Sequence, residues 1–124
     1  MLLPNYLVEE SAVRQSGESP IIALGEHADN DLLITLGITH AMEQESIDVD
    51  LYTSEDGRQW SAQPVASFPR KCYCGTYQTI LPQASGRFVK AVWNVSRWGR
   101  GEKPPFFRFY LFARPGRARA ASAA

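Results

Sequence analysis

Apolar and polar residues alternate in much of the chain with a period of two. From Leu32 to Met42 the even positions are Leu, Ile, Leu, Ile, His and Met, while the odd positions from 35 onward are Thr, Gly, Thr and Ala. That is the pattern of a strand with one buried face. Ile47, Val49 and Leu51 then alternate with Asp48, Asp50 and Tyr52. Val89, Ala91, Trp93 and Val95 alternate with Lys90, Val92, Asn94 and Ser96. Phe107, Phe109, Leu111 and Ala113 alternate with Arg108, Tyr110 and Phe112. Residues 64–68 and 77–81 read as shorter strands, and residues 6–14 and 21–24 as less regular ones. Between residues 54 and 60 the run Ser-Glu-Asp-Gly-Arg-Gln-Trp carries an Asp-Gly pair, which supplies the positive φ of a tight hairpin turn.

No segment keeps a 3.6-residue apolar period long enough for a helix. About eight strands separated by turn signals predict an all-β fold, an antiparallel jelly-roll β-sandwich. The length of 124 residues fits one domain over residues 1–115. Residues 116–124, rich in Arg and Ala, have nothing to pack against and are expected to form a flexible basic tail.

Charge refines this picture. The whole chain is neutral, but residues 1–69 hold twelve acids against two bases, and residues 70–124 hold eleven bases against Glu102 alone. A jelly roll is a long antiparallel ribbon folded over, so early strands pair with late ones. Acidic outward residues such as Asp48 and Asp50 are then expected beside strands rich in Arg and Lys, where opposite charges favour the register. That reading of the basic half is preferred over nucleic-acid binding.

The chain opens with Met1-Leu2-Leu3-Pro4, which has neither the basic nor the apolar region of a signal peptide, and no apolar run approaches a membrane span. A cytoplasmic protein without membrane association is expected. Cys72 and Cys74 read as two reduced thiols, because an extended strand would hold them about 6.7 Å apart, too far for a relaxed disulfide.

Ser54, Asp56, Gly57 and Trp60, followed by Arg87-Phe88-Val89-Lys90, resemble the S-x-D-G-x-x-W and R-Y-V-R motifs of the discoidin, or galactose-binding-like, β-sandwich. The chain looks still more like small single-domain proteins of bacteria and their phages. The matching residues there run from Leu32 to Thr39, then Leu51, Phe68, Gly75-Thr76, Trp93 and Pro105-Phe106-Phe107-Arg108-Phe109. The resemblance covers about residues 20–114 and implies the fold. Discoidin-type modules bind sugars, lipids or proteins through loops at one end, and none of the matched residues belongs to those loops.

Catalytic constellations are wanting. His40 lies on the apolar register of its strand and reads as a packed histidine. Asp48 and Asp50 share the outward face of one strand rather than opposite walls of a cleft, so a solvated face is preferred over a glycosidase pair. The expected protein is not an enzyme and needs no cofactor. Glu26, Asp29, Asn30 and Asp31 gather oxygen donors of the kind a structural Ca²⁺ takes, although Asp and Asn also simply form turns, and the turn is the preferred reading.

Residues 91–115 hold six Trp or Phe and five Arg or Lys. Trp93 falls on the inward register. Trp98 falls on the opposite one, beside Arg100, and Arg108, Tyr110 and Phe112 share the outward face of the last strand. An aromatic stripe flanked by arginines predicts a protein interface. Trp98, Arg100, Arg108, Tyr110 and Phe112 are therefore the candidate binding residues of a non-catalytic binding or assembly module. It would act through protein–protein contacts, as a homo-oligomer or as a subunit of a bacterial or phage-like assembly. A carbohydrate-binding module using end loops near residues 27–31 and 98–103 is the alternative. A neighbouring segment such as the N-terminal strand could instead cover the stripe.

Overall fold

The computed structural model describes residues 4–25, 31–82, 86–98 and 104–116. Nine strands follow in chain order: β1 (Asn5–Val13), β2 (Gly17–Glu18), β3 (Ile22–Ala23), β4 (Leu32–Ala41), β5 (Glu45–Ser54), β6 (Ala66–Lys71), β7 (Gly75–Leu81), β8 (Phe88–Arg97) and β9 (Phe107–Pro115). All eight strands expected from the alternation are present. The ninth, β2, has two residues and no periodicity to read. No helix among the described residues is long and apolar enough to cross a membrane.

The strands form two antiparallel sheets in the orders β1-β9-β4-β7 and β2-β8-β5-β6, with β3 also on β8. The order is that of a folded ribbon. β1 pairs with β9, β2 and β3 with β8, β4 with β7, and β5 with β6. Folding the ribbon over then brings β9 beside β4 and β8 beside β5. This is a jelly-roll sandwich.

Alternation decides which faces meet. Leu32, Ile34, Leu36 and Ile38 of β4 point inward with Phe107, Phe109, Leu111 and Ala113 of β9. They meet Ile47, Val49 and Leu51 of β5 and Val89 and Ala91 of β8, and all are buried. Each Val, Leu, Ile or Phe side chain among them contributes roughly 1.5–3 kcal/mol on leaving water. Trp93 joins this core from β8, edge-on to Phe109 at 5.5 Å.

Charge follows the ribbon as well. β5, with Asp48 and Asp50, lies between β8 of the basic half and β6, which ends in Arg70 and Lys71. Asp48 accepts the backbone N–H of Arg70. Side-chain ion pairs join Glu10 to Arg108 at 2.6 Å, Glu18 to Lys90 at 3.6 Å and Glu55 to Arg87 at 3.8 Å. Each takes its acid from the first 69 residues and its base from the remainder.

Three local readings need correction. Asp-Gly does make a positive-φ turn, with Gly57 at +77°, but no tight hairpin follows, because β5 ends at Ser54 and the chain resumes as a strand only at Ala66. His40 is exposed rather than packed inward. A register shift between Ile38 and His40 on β9 breaks the alternation, and the ring lies edge-on to Phe106 at 5.1 Å. Cys72 and Cys74 are free thiols in the turn between β6 and β7, not within a strand.

Candidate functional site

Three strand ends converge at one end of the sandwich. β4 turns into β5 through Met42, Glu43 and Gln44, where Gln44 adopts a φ of +60°. A positive φ is uncommon outside glycine and has to be held by its surroundings. The Gln44 carbonyl accepts the backbone N–H of Trp98 at 2.9 Å. The next residue, Glu45, is fully buried. Its carboxylate accepts the N–H of Met42 at 2.7 Å and that of Phe106 at 2.8 Å, tying the turn to the segment that enters β9.

The β6–β7 turn, Cys72-Tyr73-Cys74, lies alongside. Tyr77 donates its hydroxyl to the Tyr73 carbonyl at 2.9 Å, and the Lys71 ammonium sits 4.6 Å over the Tyr77 ring. Between the two turns and the end of β8 runs an open groove of about 680 Å³, lined by residues 41–45, residues 72–74 and Trp98. That volume falls in the ~300–1,000 Å³ range of ligand sites. Two large aromatics stand exposed there, Tyr73 at 78% and Trp98 at 51%. The Arg70 guanidinium covers one face of the Trp98 indole at 4.8 Å. The groove thus presents aromatic surface, a stacked cation, the carboxylate of Glu43 and two thiols.

The stripe on β9 lies elsewhere, on the outer face of the other sheet. Arg108 is half exposed and held by Glu10 of β1. Tyr110 and Phe112 are half covered. Tyr6 of β1 packs edge-on against both rings, at 5.8 and 4.9 Å. Tyr110 also lies over Gly37 of β4, where a Cβ would sit 2.2 Å from the ring. The N-terminal strand therefore covers the stripe only in part. A shallow depression of about 290 Å³ remains, lined by Tyr6, Thr35, Gln78, Tyr110, Phe112 and Arg114. It shares no lining residue with the end groove. Trp98 and the β9 stripe are thus two separate surfaces.

Arg100, Glu26, Asp29 and Asn30 lie outside the described residues. Asp31 serves a backbone role, its carbonyl accepting the N–H of Gly116 at 2.8 Å. Among the described residues no three His, Cys, Asp or Glu side chains gather to hold a metal.

The Asp56 loop beside Trp60 forms a further depression, but its polar groups serve the turn itself. Asp56 Oδ1 accepts the N–H of Gln59 at 2.9 Å and of Arg58 at 2.8 Å, and Ser54 Oγ lies 3.0 Å away. These bonds, led by that from Gln59, hold the Asp56 carboxyl below its ordinary range.

Sequence reasoning found Trp98 but missed Tyr73, Arg70 and the β4–β5 turn. Tyr73 carried one signal, an aromatic between two cysteines shortly before the strand expected over residues 77–81.

No protein-family model matches the chain, and no curated protein sequence matches it. Among solved structures the chain is similar to the SPBc2 prophage-derived protein YomS, with 10% identity and a TM-score of 0.46. The match covers 91% of this chain and 96% of that one.

Proposed function

We propose that this protein is a non-catalytic binding or assembly module that acts through protein–protein contacts, its docking site being the end groove between Tyr73 and Trp98. It would serve as a homo-oligomer or as a subunit of a bacterial or phage-like assembly. The observation that carries the reading is the exposure of those two aromatics at the mouth of a groove built from three strand ends. Tyr, Trp and Arg dominate the anchors of protein interfaces, and Arg70 is already stacked on the indole. The pairing of basic strands with acidic ones supports assigning those charges to sheet register rather than to nucleic acid.

Selection from a displayed random-peptide library tests the reading. Peptides enriched on the wild type should bind the Trp98→Ala variant at least tenfold more weakly, with the melting temperature unchanged. Enriched peptides that bind both equally would refute the groove.

A sugar-binding role is the second reading, favoured by the exposed indole on a loop-built end. Arg70 occupies one face of that indole, leaving the other for a sugar ring. A glycan array on which the wild type shows a signal and Trp98→Ala shows none would favour it over the peptide-docking role.

A further inference from the structure

Sheet edges expose unpaired N–H and C=O groups, and natural proteins blunt them with bulges, charges, prolines or shortness. Most edges of this sandwich are blunted. β1 carries two register shifts, between Tyr6 and Val8 and between Val8 and Ser11, as well as the exposed Glu9 and Glu10. β6 has Pro69, Arg70 and Lys71 within six residues and a register shift against β5. β2 and β3 are two residues each.

β7 is different. Its seven residues, Gly-Thr-Tyr-Gln-Thr-Ile-Leu, include no charge and no proline. Its register on β4 is unbroken from Leu32 opposite Leu81 to Ile38 opposite Gly75. Among the described strands it is paired on that side alone.

We infer that the free edge of β7 pairs antiparallel with β7 of a second copy, joining two four-stranded sheets into one continuous sheet. The partner is a second copy because the strand is self-complementary about Gln78. A two-fold axis there sets Tyr77 opposite Thr79, Thr76 opposite Ile80 and Gly75 opposite Leu81 of the other protomer. Aromatic and β-branched residues favour such cross-strand positions, and no like charges meet. The two Gln78 side chains lie side by side across the axis; each amide nitrogen donates to Thr35 Oγ1 of its own protomer at 3.4 Å, which leaves its second N–H and its oxygen for the mate. An interface of this kind is isologous and closes as a dimer. The inference deepens the assembly reading by naming self-pairing, but it uses a surface other than the Trp98 groove.

Size exclusion with light scattering, joined to hydrogen exchange, separates the two. The wild type should run at about twice the 13.9 kDa chain mass, and the β7 amides should exchange more slowly as concentration rises. Gln78→Lys, at an exposed position, sets two lysines against each other and should weaken the dimer at least tenfold. Thr76→Lys, also exposed, should do the same, whereas Trp98→Ala should remain dimeric. A wild type that stays monomeric with unchanging β7 exchange overturns the pairing and leaves the groove reading standing. A dimer that survives both lysine variants overturns it too, as does one dispersed by Trp98→Ala.

Discussion

Gly37→Ala tests how the outer face of the β1–β9–β4–β7 sheet is built. Gly37 sits opposite Tyr110 on β9 and Thr76 on β7. A Cβ there would lie 2.2 Å from Cε2 and Cζ of Tyr110 and 2.5 Å from its hydroxyl oxygen. Carbon atoms rest about 3.5–4.0 Å apart, so the ring must move by more than 1 Å. Tyr6, packed edge-on at 5.8 Å, stands against that movement. Overpacking of this kind costs about 1–3 kcal/mol. Replacing glycine inside a strand returns roughly 0.5–1 kcal/mol of conformational entropy. The net loss is therefore up to about 2.5 kcal/mol and centred near 1 kcal/mol, which urea or thermal unfolding resolves as a fall of several degrees. The decisive comparison is made in a Tyr110→Ala background. With the ring gone, alanine at position 37 has room, so the double variant should be as stable as Tyr110→Ala alone or up to about 1 kcal/mol more stable. Equal destabilisation by Gly37→Ala in both backgrounds would refute the stacking of Tyr110 on Gly37.

Glu45→Gln preserves shape but leaves one carbonyl oxygen for two backbone donors, Met42 and Phe106. It should lower stability by about 1.5–3 kcal/mol in denaturant titration, and a neutral result would show that the carboxylate is not the clasp of this end. Asp56 has a folded pKa below its unfolded value, so its contribution is fully present above the unfolded value of about 3.9 and is lost as pH falls through the lower folded value. The stability gap between wild type and Asp56→Asn should accordingly be widest near neutrality and shrink in acid, whereas a gap independent of pH would contradict the turn's hydrogen bonding.

Alternation made β4, β5, β8 and β9 legible because each buries one face along ten residues or nearly so, and local sequence carries that signal. Where geometry departs from alternation, it failed. His40 keeps the inward parity, yet the shift after Ile38 turns it out to Phe106. The half-burial of Tyr110 and Phe112 depends on Gly37 and Tyr6, residues far away in sequence that the ribbon brings alongside. No window around β9 contains them. The pairing of Glu10 with Arg108 was readable in outline, since charge sign divides the chain at about residue 70. The groove was only half readable. Trp98 stood out by parity, whereas its companions Arg70, on β6, and Tyr73 and Gln44, in two separate turns, meet it only after the two sheets close.

Docking of a partner segment in the end groove is most directly tested by amide chemical-shift mapping of the labelled protein, titrated with a peptide selected on the wild type. The largest shifts should fall on residues 41–45 and 71–74 and on the amide and indole N–H of Trp98. Shifts concentrated instead on β9 around Tyr110 and Phe112, or spread evenly over the sandwich, would contradict the assignment of the groove as the docking site.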